Sequence, residues 1–147
     1  MRSLRLSVTG TVTFALLGGL GLVAIAQSDV VPEGPTAEML DDAAITIWNT
    51  DDIGLLTETY APEAVHRVIY FDRTVAFEGR DRIAEAATGS VTLSRIAPIL
   101  ELDAPEGELR WVGFYDATAP GFAGQGTVCH FWARDGQVVR HDCLLPF

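Results

Sequence analysis

The sequence predicts an α+β domain in which three short helices come before or within a curved, mostly antiparallel sheet. Apolar residues recur at helical spacing between residues 36 and 60, whereas from Val91 onward they alternate with polar residues at a period of two. Segments containing glycine or proline separate the alternating stretches. Helices followed by long alternating strands are typical of an α+β fold whose sheet has one buried face and one wet face.

The first helix is predicted to begin after Thr36, because a threonine oxygen can cap the free backbone N–H groups of a helix. Its apolar stripe consists of Leu40, Ala44, Ile47 and Trp48. A second helix is expected to be capped by Thr50 or Asp51. That helix carries Tyr60 on its apolar face and stops at Pro62, which lacks a backbone donor.

Two short strands are predicted over residues 64–70 and 74–77, followed by a third helix over residues 80–87. The later strands are predicted over residues 91–102, 108–118, 125–134 and 138–145. Pro98 indicates a bulge or an edge position in the first of them. The glycine-rich residues 121–126 are expected to form a flexible turn, since they lack the strand-to-helix context of a phosphate loop.

The first 26 residues are typical of a secretory signal peptide. Arg2 and Arg5 precede an apolar run, and Ala24-Ile25-Ala26 forms a small-x-small cleavage signature. We expect cleavage after Ala26, a linker over residues 27–35 and a secreted or periplasmic domain over residues 36–147; an uncleaved membrane anchor is the alternative. Cleavage removes two arginines and no acid, so the net charge of −10 becomes −12. This charge disfavours nucleic acid and anionic membranes as partners.

Three segments in a fixed order resemble the SnoaL-like branch of the nuclear transport factor 2-like superfamily. They are Trp48-Asn49-Thr50-Asp51-Asp52, Tyr60-Ala61-Pro62-Glu63-Ala64 and Phe77-Glu78-Gly79-Arg80-Asp81-Arg82-Ile83. The resemblance covers roughly residues 36–147 and implies a curved sheet around a pocket, together with homodimers that pair through the sheet. It does not imply one reaction, because this fold hosts isomerases, cyclases, dehydratases and binding modules.

Ketosteroid isomerase chemistry is disfavoured by the same resemblance. Matching the segments to that family places its tyrosine at Ala44, its base at Val68 and its protonated acid at Cys129. None of these three residues can take the corresponding role.

The last hairpin decides which side chains share a face. A type I turn with a bulged Gly136, or a three-residue loop, puts Cys129, Phe131, Val139, His141 and Cys143 together. A two-residue turn would instead separate the two cysteines. We favour the first arrangement, because it leaves Arg140 and Asp142 together on the opposite face. It also predicts a disulfide between Cys129 and Cys143 in an exported chain.

The predicted pocket lining follows from phase, the alternation of inward and outward side chains along each strand, and from the faces that the superfamily turns inward. It consists of Trp48, His66, Val68, Tyr115, Cys129, Phe131 and His141. His141 and His66 are candidate general acids or bases, whereas His130 has the opposite phase. Dehydratases of the superfamily use a histidine pair with an aspartate, and His66, His141 and Asp116 could form a similar triad. No metal site or cofactor is predicted, since the three histidines do not share a face and no His-x-His or Cys-x-x-Cys pair occurs.

Three functions remain open from the sequence. The leading hypothesis is an exported domain that binds a small, mainly apolar molecule in an aromatic pocket. The second is a cofactor-free lyase or isomerase in which His141 moves a proton and Tyr115 or Tyr60 positions an oxygen. The third is a structural module that dimerises through its open sheet face.

Overall fold

A computed structural model describes residues 34–87, 91–120 and 122–145. The predicted signal peptide, residues 1–26, and most of the predicted linker lie outside the described residues. Within the described ranges, no helix has both the length and the apolar character needed to span a membrane.

The three predicted helices are present. They are α1 (Ala37–Thr50), α2 (Ile53–Thr59) and α3 (Arg80–Ala86). Thr36 caps α1 as predicted and accepts a hydrogen bond from the Met39 N–H at 3.2 Å. The predicted cap of α2 is wrong: Asp52 accepts from the Leu55 N–H at 2.9 Å. Asp51 instead adopts a left-handed conformation, with φ of 59°, and ends α1.

Tyr60 does not belong to the second helix, contrary to the prediction from its spacing. It adopts extended backbone angles and begins the first strand, which runs through Pro62. Proline is tolerated there because the register of this strand shifts between Tyr60 and Val65, where a ladder hydrogen bond is not required. Because Tyr60 begins the strand, its ring lies in the core and is fully buried.

Within the described ranges, seven strands form one mixed sheet of mostly antiparallel pairing. They are β1 (Tyr60–Ile69), β2 (Thr74–Glu78), β3 (Thr92–Arg95), β4 (Leu100–Leu102), β5 (Glu108–Ala119), β6 (Phe122–Arg134) and β7 (Gln137–Leu144). The strand order is β2-β1-β7-β6-β5-β3, and β4 also pairs with β5. Strands β1 and β7 are parallel, which places His66 beside His141 and Val68 beside Cys143.

Two predicted boundaries along the sheet differ from the structure. The segment around Pro98 separates β3 from β4, so the predicted strand over residues 91–102 is two edge pieces. The glycine-rich segment is mostly strand, because β6 begins at Phe122 and pairs with β5. Glycine therefore does not mark a turn at Gly126, which lies opposite Asp116 in the ladder.

The last hairpin reaches the predicted register by a different route. Asp135 and Gly136 form a two-residue turn, with positive φ values of 52° and 78° typical of type I′. A register shift between Trp132 and Ala133 adds one residue to β7, which restores the pairing of Cys129 with Cys143. The shift also makes Val138 the fully buried residue and leaves the predicted Val139 only partly buried.

The predicted disulfide between Cys129 and Cys143 is present, with the two Cα atoms 4.0 Å apart across the strands. On the opposite face, Arg140 donates to Asp142 at 2.9 Å, as the predicted register requires. The disulfide therefore fixes β6 to β7 at the centre of the sheet.

Reduction of this disulfide is expected to lower the free energy of unfolding by at most about 3 kcal/mol, because a short loop gains little chain entropy on opening. The two cysteines are separated by 14 positions. Urea unfolding with and without a dithiol reductant measures the difference. Labelling of the unfolded, unreduced protein provides the control: two reactive thiols would contradict the disulfide.

Helix α1 packs across the concave face of the sheet and closes one side of the site. Its buried residues follow the predicted stripe and add one acid: Ala37, Leu40, Asp41, Ala44, Ile47 and Trp48. Trp111 of β5 and Phe131 of β6 are buried in the core and stack on each other, and Phe131 also stacks on His141 of β7.

Candidate functional site

A cavity of about 130 Å³ opens between helix α1 and the concave face of the sheet. Its deeper wall consists of buried residues: Trp48, His66, Thr127, His141 and Cys143. Its outer wall consists of half-buried, mainly apolar residues: Val68, Tyr70, Val91, Leu93, Ala117 and Leu145. Four of the seven residues predicted to line a pocket, Trp48, His66, Val68 and His141, line this cavity.

His66 presents one free ring nitrogen at the cavity. Its Nδ1 donates to the backbone carbonyl of His141 at 3.0 Å, which fixes the tautomer and leaves Nε2 as an acceptor. The ring stacks on Phe77 at 5.7 Å and lies 4.8 Å from the Trp48 ring. Burial lowers the pKa of His66 to about 4, so the imidazole is neutral at pH 7.

His141 has both ring nitrogens engaged. The Tyr60 hydroxyl donates to Nδ1 at 2.9 Å, and Nε2 lies 2.9 Å from Sγ of Cys143. Burial, and then the neighbouring His66, lower the pKa of His141 well below its ordinary value. Burial also raises the pKa of Tyr60, and the nearby Trp48 indole N–H only partly offsets this rise. His141 is therefore a neutral ring held in a closed network.

Thr127 supplies a second free polar group. Its hydroxyl is buried and finds no hydrogen-bond partner among the described residues. An unpartnered buried hydroxyl is costly unless a ligand or a water satisfies it. The sequence analysis missed Thr127, although it lies in phase with Cys129 and Phe131 on β6 and pairs with Tyr115 on β5.

The three-dimensional structure is similar to several solved proteins of low sequence identity. A nuclear transport factor 2-like protein of unknown function from Cytophaga hutchinsonii is 11% identical, with a TM-score of 0.58 over 75% of this chain and 89% of that chain. A candidate isomerase of the SnoaL-like family from Agrobacterium tumefaciens is 13% identical, with a TM-score of 0.53 over 74% and 95% of the two chains. The described residues have the nuclear transport factor 2-like fold.

A similar fold is found within a larger protein. An orange carotenoid protein from Anabaena, solved binding canthaxanthin, is 14% identical, with a TM-score of 0.61 over 76% of this chain and 37% of that chain. This chain thus spans little more than a third of the carotenoid protein. No protein-family description and no curated protein matches the sequence.

Three residues predicted to line the pocket do not reach the cavity. Cys129 is fully buried in the disulfide. Phe131 stacks between the rings of His141, at 3.9 Å, and Trp111, at 4.8 Å, and so supports the floor from below. The hydroxyl of Tyr115 donates to Asp41. Strand phase placed these residues on the correct face, but it did not give the depth at which their side chains end.

Asp41 is the centre of a buried polar network that the sequence analysis also missed. Its carboxylate is fully buried and accepts from Trp111 Nε1 at 2.8 Å, from Arg95 Nε at 2.9 Å and from the Tyr115 hydroxyl. Gly113 leaves room for this arrangement, because a Cβ there would lie 1.8 Å from the Tyr115 hydroxyl. Helical spacing could have indicated that Asp41 is buried, because it falls between Leu40 and Ala44 on the apolar stripe.

The dehydratase-like triad does not form. Asp116 lies one position from Tyr115 on β5, opposite Ser94 and Gly126, with the phase opposite to the residues of the concave face. His130 also has the outward phase and packs against Trp132, with ring centroids 3.7 Å apart. Neither group is among the cavity-lining residues.

A possible set of metal ligands is nevertheless present at the cavity floor. One donor atom from each of His66, His141 and Cys143 lies within 4.8 Å of the others. The prediction of no metal site rested on the faces of the three histidines and on the absence of a His-x-His or Cys-x-x-Cys pair. It did not consider that the parallel pairing of β1 with β7 would bring a cysteine beside two of them.

Proposed function

We propose that this chain is an exported binding protein for a small, mainly apolar ring compound that carries one hydroxyl group. The observation that supports this proposal is a cavity with apolar walls whose lining residues include polar atoms without a hydrogen-bond partner among the described residues: Nε2 of His66, Oγ1 of Thr127 and Nε1 of Trp48. A neutral imidazole nitrogen accepts a hydrogen bond, and a threonine hydroxyl both donates and accepts. A ligand hydroxyl that donates to His66 and accepts from Thr127 would satisfy both groups.

The size of the cavity supports a compact ligand. Its volume of about 130 Å³ is close to that of an engineered apolar cavity of roughly 150 Å³ that holds benzene. The half-buried outer wall at Tyr70 and Leu145 allows a longer apolar substituent to extend toward solvent. The orange carotenoid protein, which shares this fold over 37% of its chain, was solved binding canthaxanthin.

A binding role is favoured over the lyase or isomerase alternative by the state of His141. His141 was predicted to act as a general acid or base, but both of its ring nitrogens are engaged. Tyr115 is bound to Asp41 and Tyr60 to His141, so neither hydroxyl is free to position a substrate oxygen. A lyase or isomerase would have to use His66 as its general base, and the lowered pKa of His66 makes it a weak base.

The proposed hydroxyl contact predicts a preference between two probes of nearly equal shape, p-cresol and toluene. We expect p-cresol to bind more tightly because it adds one hydrogen bond, typically worth about 0.5–1.5 kcal/mol, or a factor of about 2–12 in affinity. Thr127→Val keeps the side-chain shape and should weaken p-cresol binding severalfold while leaving toluene binding unchanged. Isothermal titration calorimetry of the oxidised protein measures both constants.

The matched control is Thr92→Val, at an exposed position on β3, which should alter neither affinity. Equal binding of p-cresol and toluene to the wild-type protein would contradict the hydroxyl contact. If neither p-cresol nor toluene bound, the proposed ligand class would be contradicted. Turnover of a bound hydroxylated probe, lost in His66→Gln, would instead support the lyase or isomerase alternative.

Export and dimerisation belong to the same proposal. The basic start, the apolar run and Ala24-Ile25-Ala26 support export, and the disulfide suits an oxidising compartment. Val128 and Leu144 pair across β6 and β7, and both are exposed on the outer face of the sheet. This apolar pair supports dimerisation through the sheet face.

A further inference from the structure

The floor of the cavity brings together three side chains that coordinate metals in other settings. His66 on β1 pairs directly with His141 on β7, and Cys143 lies two residues further along β7. One donor atom from each residue lies within 4.8 Å of the others, and all three residues are buried. A cation equidistant from three such atoms would lie close to the usual Zn–N and Zn–S bond lengths of about 2.0–2.3 Å after small rotations of the side chains.

Both imidazoles are oriented as metal ligands usually are. Metal-binding histidines generally engage their second ring nitrogen with a carbonyl, a carboxylate or a similar group, which fixes the direction of the first. Here Nδ1 of His66 is bound to the His141 carbonyl and Nδ1 of His141 to the Tyr60 hydroxyl. Nε2 is therefore the nitrogen that each ring offers, and in His141 it already lies 2.9 Å from the cysteine sulfur.

The disulfide blocks the third ligand, because a bonded sulfur is not a thiolate. We propose that reduction of the Cys129–Cys143 disulfide opens a site for a zinc-type divalent cation, held by Nε2 of His66, Nε2 of His141 and Sγ of Cys143. A dithiol reductant becomes its own disulfide in this step, and the two protein sulfurs each take up one proton. Binding of the cation then displaces the proton from Sγ of Cys143. His141 binds the cation as the other tautomer, in which the ring proton has moved from Nε2 to Nδ1 and Nδ1 donates to the Tyr60 hydroxyl.

The ligand set points to the class of metal and to the geometry. Two imidazoles and one thiolate suit Zn²⁺ and related cations and disfavour Mg²⁺ and Ca²⁺, which prefer oxygen ligands. Three protein ligands leave a fourth tetrahedral position open, and all three ligand residues line the cavity. The site therefore belongs to the reduced protein, whereas the ligand-binding function above concerns the oxidised protein and is tested independently.

Two variants that lose the same disulfide provide the sharpest test. Cys129→Ala leaves Cys143 as a free thiol between the histidines, whereas Cys143→Ala removes the proposed ligand and leaves Cys129. We expect Cys129→Ala to bind one Co²⁺ per chain without any reductant and to show a thiolate-to-cobalt charge-transfer band. Cys143→Ala should lack that band and bind Co²⁺ more weakly. The loss of affinity should be larger than about 10- to 100-fold, which is the usual cost of removing a residue that only supports a metal ligand.

Wild-type protein gives the redox comparison without any substitution. Saturable Co²⁺ binding, displaced by Zn²⁺, is expected after reduction with a dithiol and removal of the excess reagent, and not before reduction. His66→Ala should abolish it, and His130→Ala, on the outward face, should preserve it. Equal Co²⁺ binding by Cys129→Ala and Cys143→Ala, or equal binding by oxidised and reduced wild type, would overturn the proposal.

Discussion

Replacement of Asp41 by alanine is expected to lower the free energy of unfolding by about 3–5 kcal/mol, the usual cost of removing one partner of a buried ion pair. The substitution leaves the Arg95 guanidinium, which is mostly buried, without its main partner. It also leaves the Trp111 N–H and the Tyr115 hydroxyl without the acceptor that they share. Each buried donor without an acceptor adds a desolvation penalty. Urea unfolding followed by tryptophan fluorescence measures the change.

Asp42→Ala is the matched control for this prediction. Asp42 is the next residue along α1 and also contacts Arg95, but its side chain is 63% exposed. Surface ion pairs contribute about 0–1 kcal/mol, so this substitution should have little effect on unfolding. If the two variants unfolded at the same urea concentration, Asp41 would not be the centre of a stabilising network.

Asp41 also shows what the sequence could not provide. Helical spacing predicted α1 and its apolar stripe, and Asp41 lies on that stripe. A single acid on an apolar face is ambiguous, because its partners come from β3 and β5, more than fifty residues away. The period of a helix tells which residues face inward, but it does not tell which distant donors will meet them.

The last hairpin shows a prediction that was correct in its result and wrong in its reasons. Pairing of Cys129 with Cys143 was inferred from a turn longer than two residues. The turn has two residues, Asp135 and Gly136, and an additional residue further along β7 restores the phase. Turn chemistry was readable in the sequence, whereas a bulge has no sequence signature of comparable strength.

The cavity lining was predictable to the extent that strand phase determines it. Phase selected His66, Val68 and His141, which line the cavity, and equally Phe131 and Tyr115, which do not. The long side chain of Phe131 packs on another aromatic ring, and that of Tyr115 reaches Asp41. The shorter Thr127 lines the cavity, and its hydroxyl has no hydrogen-bond partner among the described residues. Side-chain length and tertiary partners therefore decide the lining within a face that phase predicts.

Acidification from pH 7 to pH 4 is expected to lower the free energy of unfolding, with His66 alone accounting for about 3 kcal/mol of the change. The unfolded chain protonates this histidine at its ordinary pKa of 6.5, whereas burial lowers the pKa in the folded protein to about 4. Between these values the unfolded state binds more protons, so the contribution is fully present above pH 6.5 and is lost as the pH falls toward 4. His141 acts in the same direction, because its pKa is also lowered by burial.

His66→Gln separates this effect from the titration of carboxylates in the same pH range. The glutamine amide can donate to the His141 carbonyl as the imidazole does, but it does not titrate. Urea unfolding at several pH values between 7 and 4 should therefore give a shallower pH dependence for this variant than for the wild type. His130→Gln, at a more exposed position on the outward face, should change the slope much less. Parallel curves for the wild type and His66→Gln would mean that His66 is protonated as readily in the folded protein as in the unfolded chain, and burial would then not keep the imidazole neutral below pH 6.5.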